Sequence, residues 1–166
     1  MHMGNVVAAW ATTVHDRLRA GMRQLGVEHR DLAALTLVSA YDGCSPDWLR
    51  RRVDLTQSGT VRLVDRLVAR GLVSRGRSTG RGVPLHLTPA GDDLLRRWAI
   101  SRDEIITELL AGLAPEPATA LVAAMANALR TEQRVRQEAD TACRTCTWPA
   151  CGDDCPVDRS VAATAP

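Results

Sequence analysis

Lysine and phenylalanine are absent from this chain, and tyrosine occurs once. The four tryptophans, Trp10, Trp48, Trp98 and Trp148, are spread along 166 residues, so an aromatic platform for stacking single-stranded bases has little to build on. No apolar run approaches the length needed to span a bilayer, and no charged-then-apolar leader opens the chain, so a cytoplasmic protein with no membrane partner is expected. Catalysis finds no support either. No glycine loop of the phosphate-cradling kind occurs, no nucleophile stands beside a base in a recognisable motif, and the histidines are scattered at positions 2, 15, 29 and 86, so the chain reads as a non-enzyme. With no lysine, all 21 basic residues are arginine, a bias that together with abundant alanine suits a G+C-rich coding sequence. Arginine abundance therefore carries no weight by itself, and a net charge of only +2 means that any strong field must come from clustering.

The clustering is present. Nine arginines lie between Arg50 and Arg81 against Asp54 and Asp65, a segment of about +7. The same segment, within residues 45–89, carries the start and stop signals of two short helices and a hairpin. Ser45-Pro46-Asp47 has the cap and early-proline chemistry of a helix start, and Trp48 to Val53 supplies about two turns. Thr56 then caps a second helix, expected from Gln57 to Arg70, whose apolar face recurs at Thr60, Leu63, Val64 and Leu67. Gly71 suits the left-handed residue that ends a helix, Leu72-Val73 begins a strand, and Leu85-His86-Leu87 is its partner. The outcome is a mainly α fold, a winged helix-turn-helix with a small hairpin wing. With the apolar face of the second helix buried, Gln57, Ser58, Val61, Arg62 and Asp65 point outward. Thr56, Ser58 and the amides at the helix start suit phosphates, Gln57 and Arg62 suit base edges in a major groove, and Val61 suits a thymine methyl. Arg75, Arg77 and Arg81 on the hairpin and its loop suit the backbone or a minor groove beside it.

Outside the reader, an apolar stripe through Val7, Ala11, Val14, Leu18, Met22 and Leu25 predicts a helix over about 4–25, and a second runs from about His29 to Tyr41. Thr88-Pro89 opens a third, ending near Gly112, and a fourth is expected over about 117–142. These outer helices have apolar faces that a small winged helix does not cover. A second copy of the chain would cover them, giving a homodimer that reads a palindromic duplex.

The stretch L-T-Q-S-G-T-V-R-L-V-D-R-L-V-A-R-G-L-V-S-R from Leu55 to Arg75, the L-T-P-A-G from Leu87 to Gly91 and the helix order resemble the MarR family of bacterial transcriptional regulators over roughly residues 5 to 140. The resemblance implies a homodimer with intertwined terminal helices over about 4–25 and 117–142, recognition helices in successive major grooves of double-stranded DNA, and repression relieved by a signal. It also implies a small-molecule effector such as an aromatic acid, for which Trp10, His15, Tyr41 and Trp98 are candidate contacts, or an oxidant acting on cysteine. The family's wing carries an aspartate two residues before its arginine. Here Arg81 matches the arginine but Thr79 takes the aspartate's place, which removes one side of the bracing ion pair.

The resemblance places residues 1–142 in one winged-helix domain and leaves 143–166 as a separate cysteine-rich tail. Four of the five cysteines, Cys143, Cys146, Cys151 and Cys155, fall within thirteen residues. The first pair is C-x2-C at a helix end, and Pro149 and Gly152 let the chain turn back so that the second pair can close a shell. Four thiolates suit a soft metal, and a reducing compartment disfavours structural disulfides. An iron–sulfur cluster is favoured by the Cys-Pro ending and by its use as a signal, and zinc by the short spacings; a thiol switch without metal is the remaining choice. The function expected is a homodimeric repressor whose DNA binding follows the cluster, metal or redox state of these cysteines. The alternative is a repressor answering an aromatic ligand, with a structural zinc in the tail, and after it a non-DNA metal-binding protein or enzyme on a winged-helix core. Cys44 is a loop residue or a lone redox thiol.

Overall fold

The computed structural model describes residues 2–78 and 82–162. In chain order the elements are α1 (His2–Gln24), α2 (His29–Ala40), α3 (Pro46–Val53), α4 (Gln57–Ala69), β1 (Val73–Arg75), β2 (Leu85–Leu87), α5 (Pro89–Leu110), α6 (Pro115–Thr131), α7 (Arg136–Ala142) and α8 (Trp148–Cys151), followed by two short 3-10 turns. The described residues are mainly helical, with one antiparallel pair of strands in which Val73 faces Leu87 and Arg75 faces Leu85. A winged helix-turn-helix occupies its middle.

Local chemistry explains most boundaries. Ser45 accepts a hydrogen bond from Trp48 N at 3.2 Å, and Thr56 and Thr88 accept from Gly59 N and Gly91 N, each at 3.1 Å. Each hydroxyl satisfies an amide that a helix start would otherwise leave open. Asp54 closes α3 and Gly71 follows α4 in left-handed conformations, with φ of 51° and 68°. Gly91 is needed for a different reason. A Cβ there would sit 2.3 Å from the carbonyl oxygen of Leu72, so only glycine lets α5 start against the hairpin.

The core lies under the reader. Leu32, Leu35, Leu37 and Val38 of α2, Leu49 of α3, Leu63, Val64 and Leu67 of α4, Leu85 of β2 and Trp98 of α5 are almost wholly buried. Helix α2 is apolar on nearly all sides because it is the central post around which α3, α4, α5 and the hairpin pack. A third backbone partner widens the wing, since Gly43 N donates to Leu85 O and Leu85 N to Cys44 O.

The last helix differs from expectation. Instead of one helix over 117–142, α6 ends at Thr131, Glu132 adopts an extended conformation, and α7 restarts at Arg136. No glycine or proline marks the break. Its cause is the end of the chain, which returns so that Arg134 N donates to Ser160 O and Ala162 N to Arg134 O. The Arg134 guanidinium is buried on Leu129 O, Ser160 Oγ and Glu132. Val135, in the break, is 62% exposed. Helix α7 lies on α3 of the reader rather than continuing along α6. No helix among the described residues is by itself long and apolar enough to cross a membrane.

Candidate nucleic-acid interface

Helix α4 presents the outward set that its periodicity predicts. Gln57, Ser58, Val61, Arg62 and Asp65 are exposed, while Thr60, Leu63, Val64 and Leu67 are buried on the opposite face. Thr56 is already committed, its hydroxyl oxygen capping the helix and lying 3.3 Å from Ser58 Oγ. Val61, 46% exposed, is the one large apolar side chain on this outer face. Helices that enter a major groove carry such short apolar contacts beside hydrogen-bonding ones.

The arginine cluster looks different in three dimensions from its sum along the chain. Arg50 and Arg51 fold back on Asp47, holding that carboxyl below the usual carboxylate range. Arg66 reaches Asp31 at 2.5 Å with Arg70 at 3.7 Å, Arg75 reaches Asp65 at 2.6 Å, and Arg52 turns inward to Asp140 at 2.6 Å. Arg62 on the outer face of α4 and Arg77 at the base of the wing loop make no ion pair among the described residues. The positive charge left without an ion pair among the described arginines of the cluster therefore falls on the outer face of α4 and at the base of the wing loop, and the others brace the fold. Arg81 and Thr79 lie outside the described residues, so the expected wing arginine and the missing aspartate have no structural counterpart here. His86 Nδ1 and Asp42 stand 2.8 Å apart at the foot of the wing.

Two buried aspartates hold the reader, and neither was singled out from sequence. Asp31 of α2 anchors α4. Asp140 of α7, fully buried, accepts from Arg52 Nε and from the Tyr41 hydroxyl, both at 2.6 Å. Burial, and then the bond to Asp140, pushes the Tyr41 phenol up to about 12. The Arg52 guanidinium lies 3.7 Å over the Trp48 ring, and Trp48 packs at 4.6 Å from the Tyr41 ring. Asp31 stands in the first turn of α2, where acids are common, so neither it nor Asp140 is marked in the sequence as buried.

The cysteine-rich tail folds beside this network. Cys143, Cys146, Cys151 and Cys155 all line one cavity of about 190 Å³, together with Trp148, Val157 and Arg136. Cys146 is pushed down to about 7, chiefly by the Cys143 thiol donating to it, with Arg102 assisting. Cys143 is correspondingly raised, by Cys146 first and burial second, and Cys151 is raised by burial. No three His, Cys, Asp or Glu side chains among the described residues are gathered as a single metal ion requires. Cys44 stands apart from this set, half-buried under the wing, its thiol pushed up to about 11 by burial and Asp42, which keeps it protonated at neutral pH.

The four candidate effector contacts part company. Trp98, 1% exposed, is a core residue whose Nε1 donates to Thr145 O at 3.0 Å, and Tyr41 belongs to the Asp140 network. Trp10 and His15 line an open apolar groove between α1 and α6 with Val7, Leu18 and Met125. A separate cavity of about 600 Å³ opens between α2, α5 and the tail, walled by Thr36, Leu95, Arg96, Trp98 and Trp148. Thr36 Oγ1 is buried there without a hydrogen-bond partner among the described residues.

Comparison with known proteins agrees with this geometry. No curated protein sequence matches the chain. Among solved structures, the YusO protein of Bacillus subtilis superposes with a TM-score of 0.69 at 20% identity, over 78% of this chain and 94% of its own. A MarR family regulator from Silicibacter pomeroyi is 27% identical with a TM-score of 0.54, over 75% of this chain and 85% of its own. The MarR family protein Rv2887 of Mycobacterium tuberculosis, in its complex with DNA, gives 0.61 at 19% identity over 74% and 93%, and the same protein has been solved with salicylic acid. The family model that matches, described as the MarR family, covers residues 25–82, which takes in α2, α3, α4 and β1 and stops before β2, so the middle of this chain is similar to that family.

Proposed function

We propose that the protein is a sequence-specific DNA-binding transcriptional regulator that acts as a homodimer on a palindromic duplex. The observation that carries this reading is the outer face of α4, where Gln57, Ser58, Val61 and Arg62 are exposed together on a helix whose other face is locked into the core. These side chains and Arg77, which makes no ion pair among the described residues, would supply base-edge and phosphate contacts. Pairing is supported by the apolar surface left open on the outer helices. Val6, Val7, Val122 and Met125 are exposed on α1 and α6, around a groove that a second copy would fill.

Repression is the output proposed, relieved when the state of the tail cysteines changes. A second reading has its own observation. The cavity beside Trp98 and Trp148, with the unpartnered Thr36 hydroxyl and Arg96 on its wall, suits a small aromatic acid, and Rv2887 binds salicylic acid. An effector there would press on α2 and α5, which support the reader.

The test is selection from a random duplex library by the full-length protein. A recovered inverted repeat, bound by a species of twice the monomer mass, is the expected result. Arg62→Ala should then lose on the order of tenfold or more in affinity while remaining dimeric. Failure of the wild-type protein to enrich any sequence would end the reading.

A further inference from the structure

We propose that the cysteine-walled cavity holds an iron–sulfur cluster on Cys143, Cys146, Cys151 and Cys155, and that its occupancy sets the seating of α3 through the Asp140–Arg52 pair. The first half stands on the tail alone. The second rests on the DNA-binding reading above.

Four cysteines on one cavity are a soft donor set, suited to zinc or to an iron–sulfur cluster. The Cys155–Pro156 ending, a feature of cluster-binding cysteine runs, favours the cluster. The thiols already touch one another, Cys143 with Cys146 and Cys155 and Cys151 with Cys155, beside a cavity of about 190 Å³. The walls suit a cluster as well. Trp148 and Val157 line one side, Arg102 acts as a cation on Cys146 and Cys151 while Arg136 on the wall is paired with Asp158 at 2.6 Å, and Asp158 N donates to Cys155 Sγ at 3.4 Å. Amide-to-sulfur bonds and burial are the means by which a protein stabilises a bound cluster.

The cage also touches the reader. Cys143 caps α7, its N–H bonded to Ala139 O at 3.0 Å, so the first ligand ends the same short helix that carries Asp140. Asp140 grips Arg52 of α3 and the Tyr41 hydroxyl, and the neighbouring Thr141 hydroxyl and Gln137 amide lie 3.4 and 3.3 Å from the carbonyl oxygens of Arg52 and Arg51. On the other side of the cage, Trp148 packs edge-on against Tyr41 at 5.4 Å. A seven-residue helix has little stability of its own, so α7 depends on what ties its ends. With the cluster bound, Cys143 is held and Asp140 is aimed at Arg52. With it lost, the end of α7 frays and α3 loses its outer support.

Full-length protein purified without oxygen should contain iron and acid-labile sulfide in equal amounts, with visible absorption. Each single Cys→Ser change at the four positions should abolish both. Stoichiometric zinc without iron, or no metal, overturns the cluster. On a duplex selected by the protein, cluster-loaded and chelator-emptied forms should differ in affinity on the order of tenfold. Tyr41→Phe, which removes one bond and keeps the ring, and Arg52→Gln should retain iron and sulfide but shrink that difference to about twofold or less. Equal affinity of the two wild-type forms overturns the relay, as does an undiminished difference in both variants. If neither form selects a duplex, the DNA-binding reading fails and the relay with it, while the iron and sulfide content still decides the cluster.

Discussion

Helices α3 and α4 of the reader are each anchored by one buried aspartate, and the two anchors come from different parts of the chain. Asp31 sits on α2, 35 residues before its partner Arg66, inside the stretch of core that the reader itself builds. Asp140 sits on α7, 88 residues after Arg52, on a short helix whose position depends on the returning tail. The partners differ too. Arg66 keeps half of its side chain in water, whereas Arg52 keeps 11%. Helix α4 is thus held by the reader's own core, and α3 by a short helix tied to the returning chain. In the regulator proposed above, that division would let a signal act on α3 without dissolving the seat of α4.

Removing each anchor tests the contrast most strongly. Asp140→Ala leaves a buried guanidinium and a buried phenol without their acceptor and should cost about 3–5 kcal/mol in denaturant unfolding. Asp31→Ala leaves arginines that can turn to solvent, and about 1–2 kcal/mol is expected. Equal losses would erase the distinction. Arg62→Ala should weaken duplex binding by about 1–3 kcal/mol with no change in melting temperature, since it braces nothing. Trp98→Phe removes the Nε1 bond to Thr145 O, one of the ties between α5 and the tail, and should cost about 1–2 kcal/mol in unfolding.

The smallest effect sharpens the comparison without altering the anchors. Tyr41 is the single tyrosine, so phenolate absorbance reports it alone. Its midpoint should lie near 12 in the folded protein and near 10 in denaturant, because burial and the Asp140 bond favour the neutral phenol. A raised phenol contributes its full stabilisation below pH 10, and that contribution is lost as pH rises towards 12, where the unfolded chain has already ionised. A folded midpoint near 10 would mean that the network around Asp140 is not formed.

The reader was legible almost residue by residue. Helix α4 was expected over 57–70 and is found at Gln57–Ala69, with Thr56 as its cap and Gly71 just beyond its end. The outer face of α4 followed from the same periodicity. Two things were not legible. The expected helix over 117–142 breaks at Glu132–Val135 with no local breaker, because Arg134 exchanges backbone bonds with Ser160 and Ala162. The positive field was read as a sum of nine arginines, whereas pairing removes most of it. Only the Asp47 pairs, three and four residues apart on α3, could have been foreseen.

Caps, turns and apolar periodicity act over about four residues, so the chain alone decided where the reader's helices begin and end and which face of α4 turns outward. The grouping of four cysteines within thirteen residues was likewise written in the chain, as was the soft chemistry they offer. Which arginines remain free, and which helix the cysteine cage leans on, was decided only when segments nearly ninety residues apart were packed together. Burial sets the strength of the Asp140 and Asp31 pairs, and burial is a property of the assembled fold rather than of any stretch of sequence.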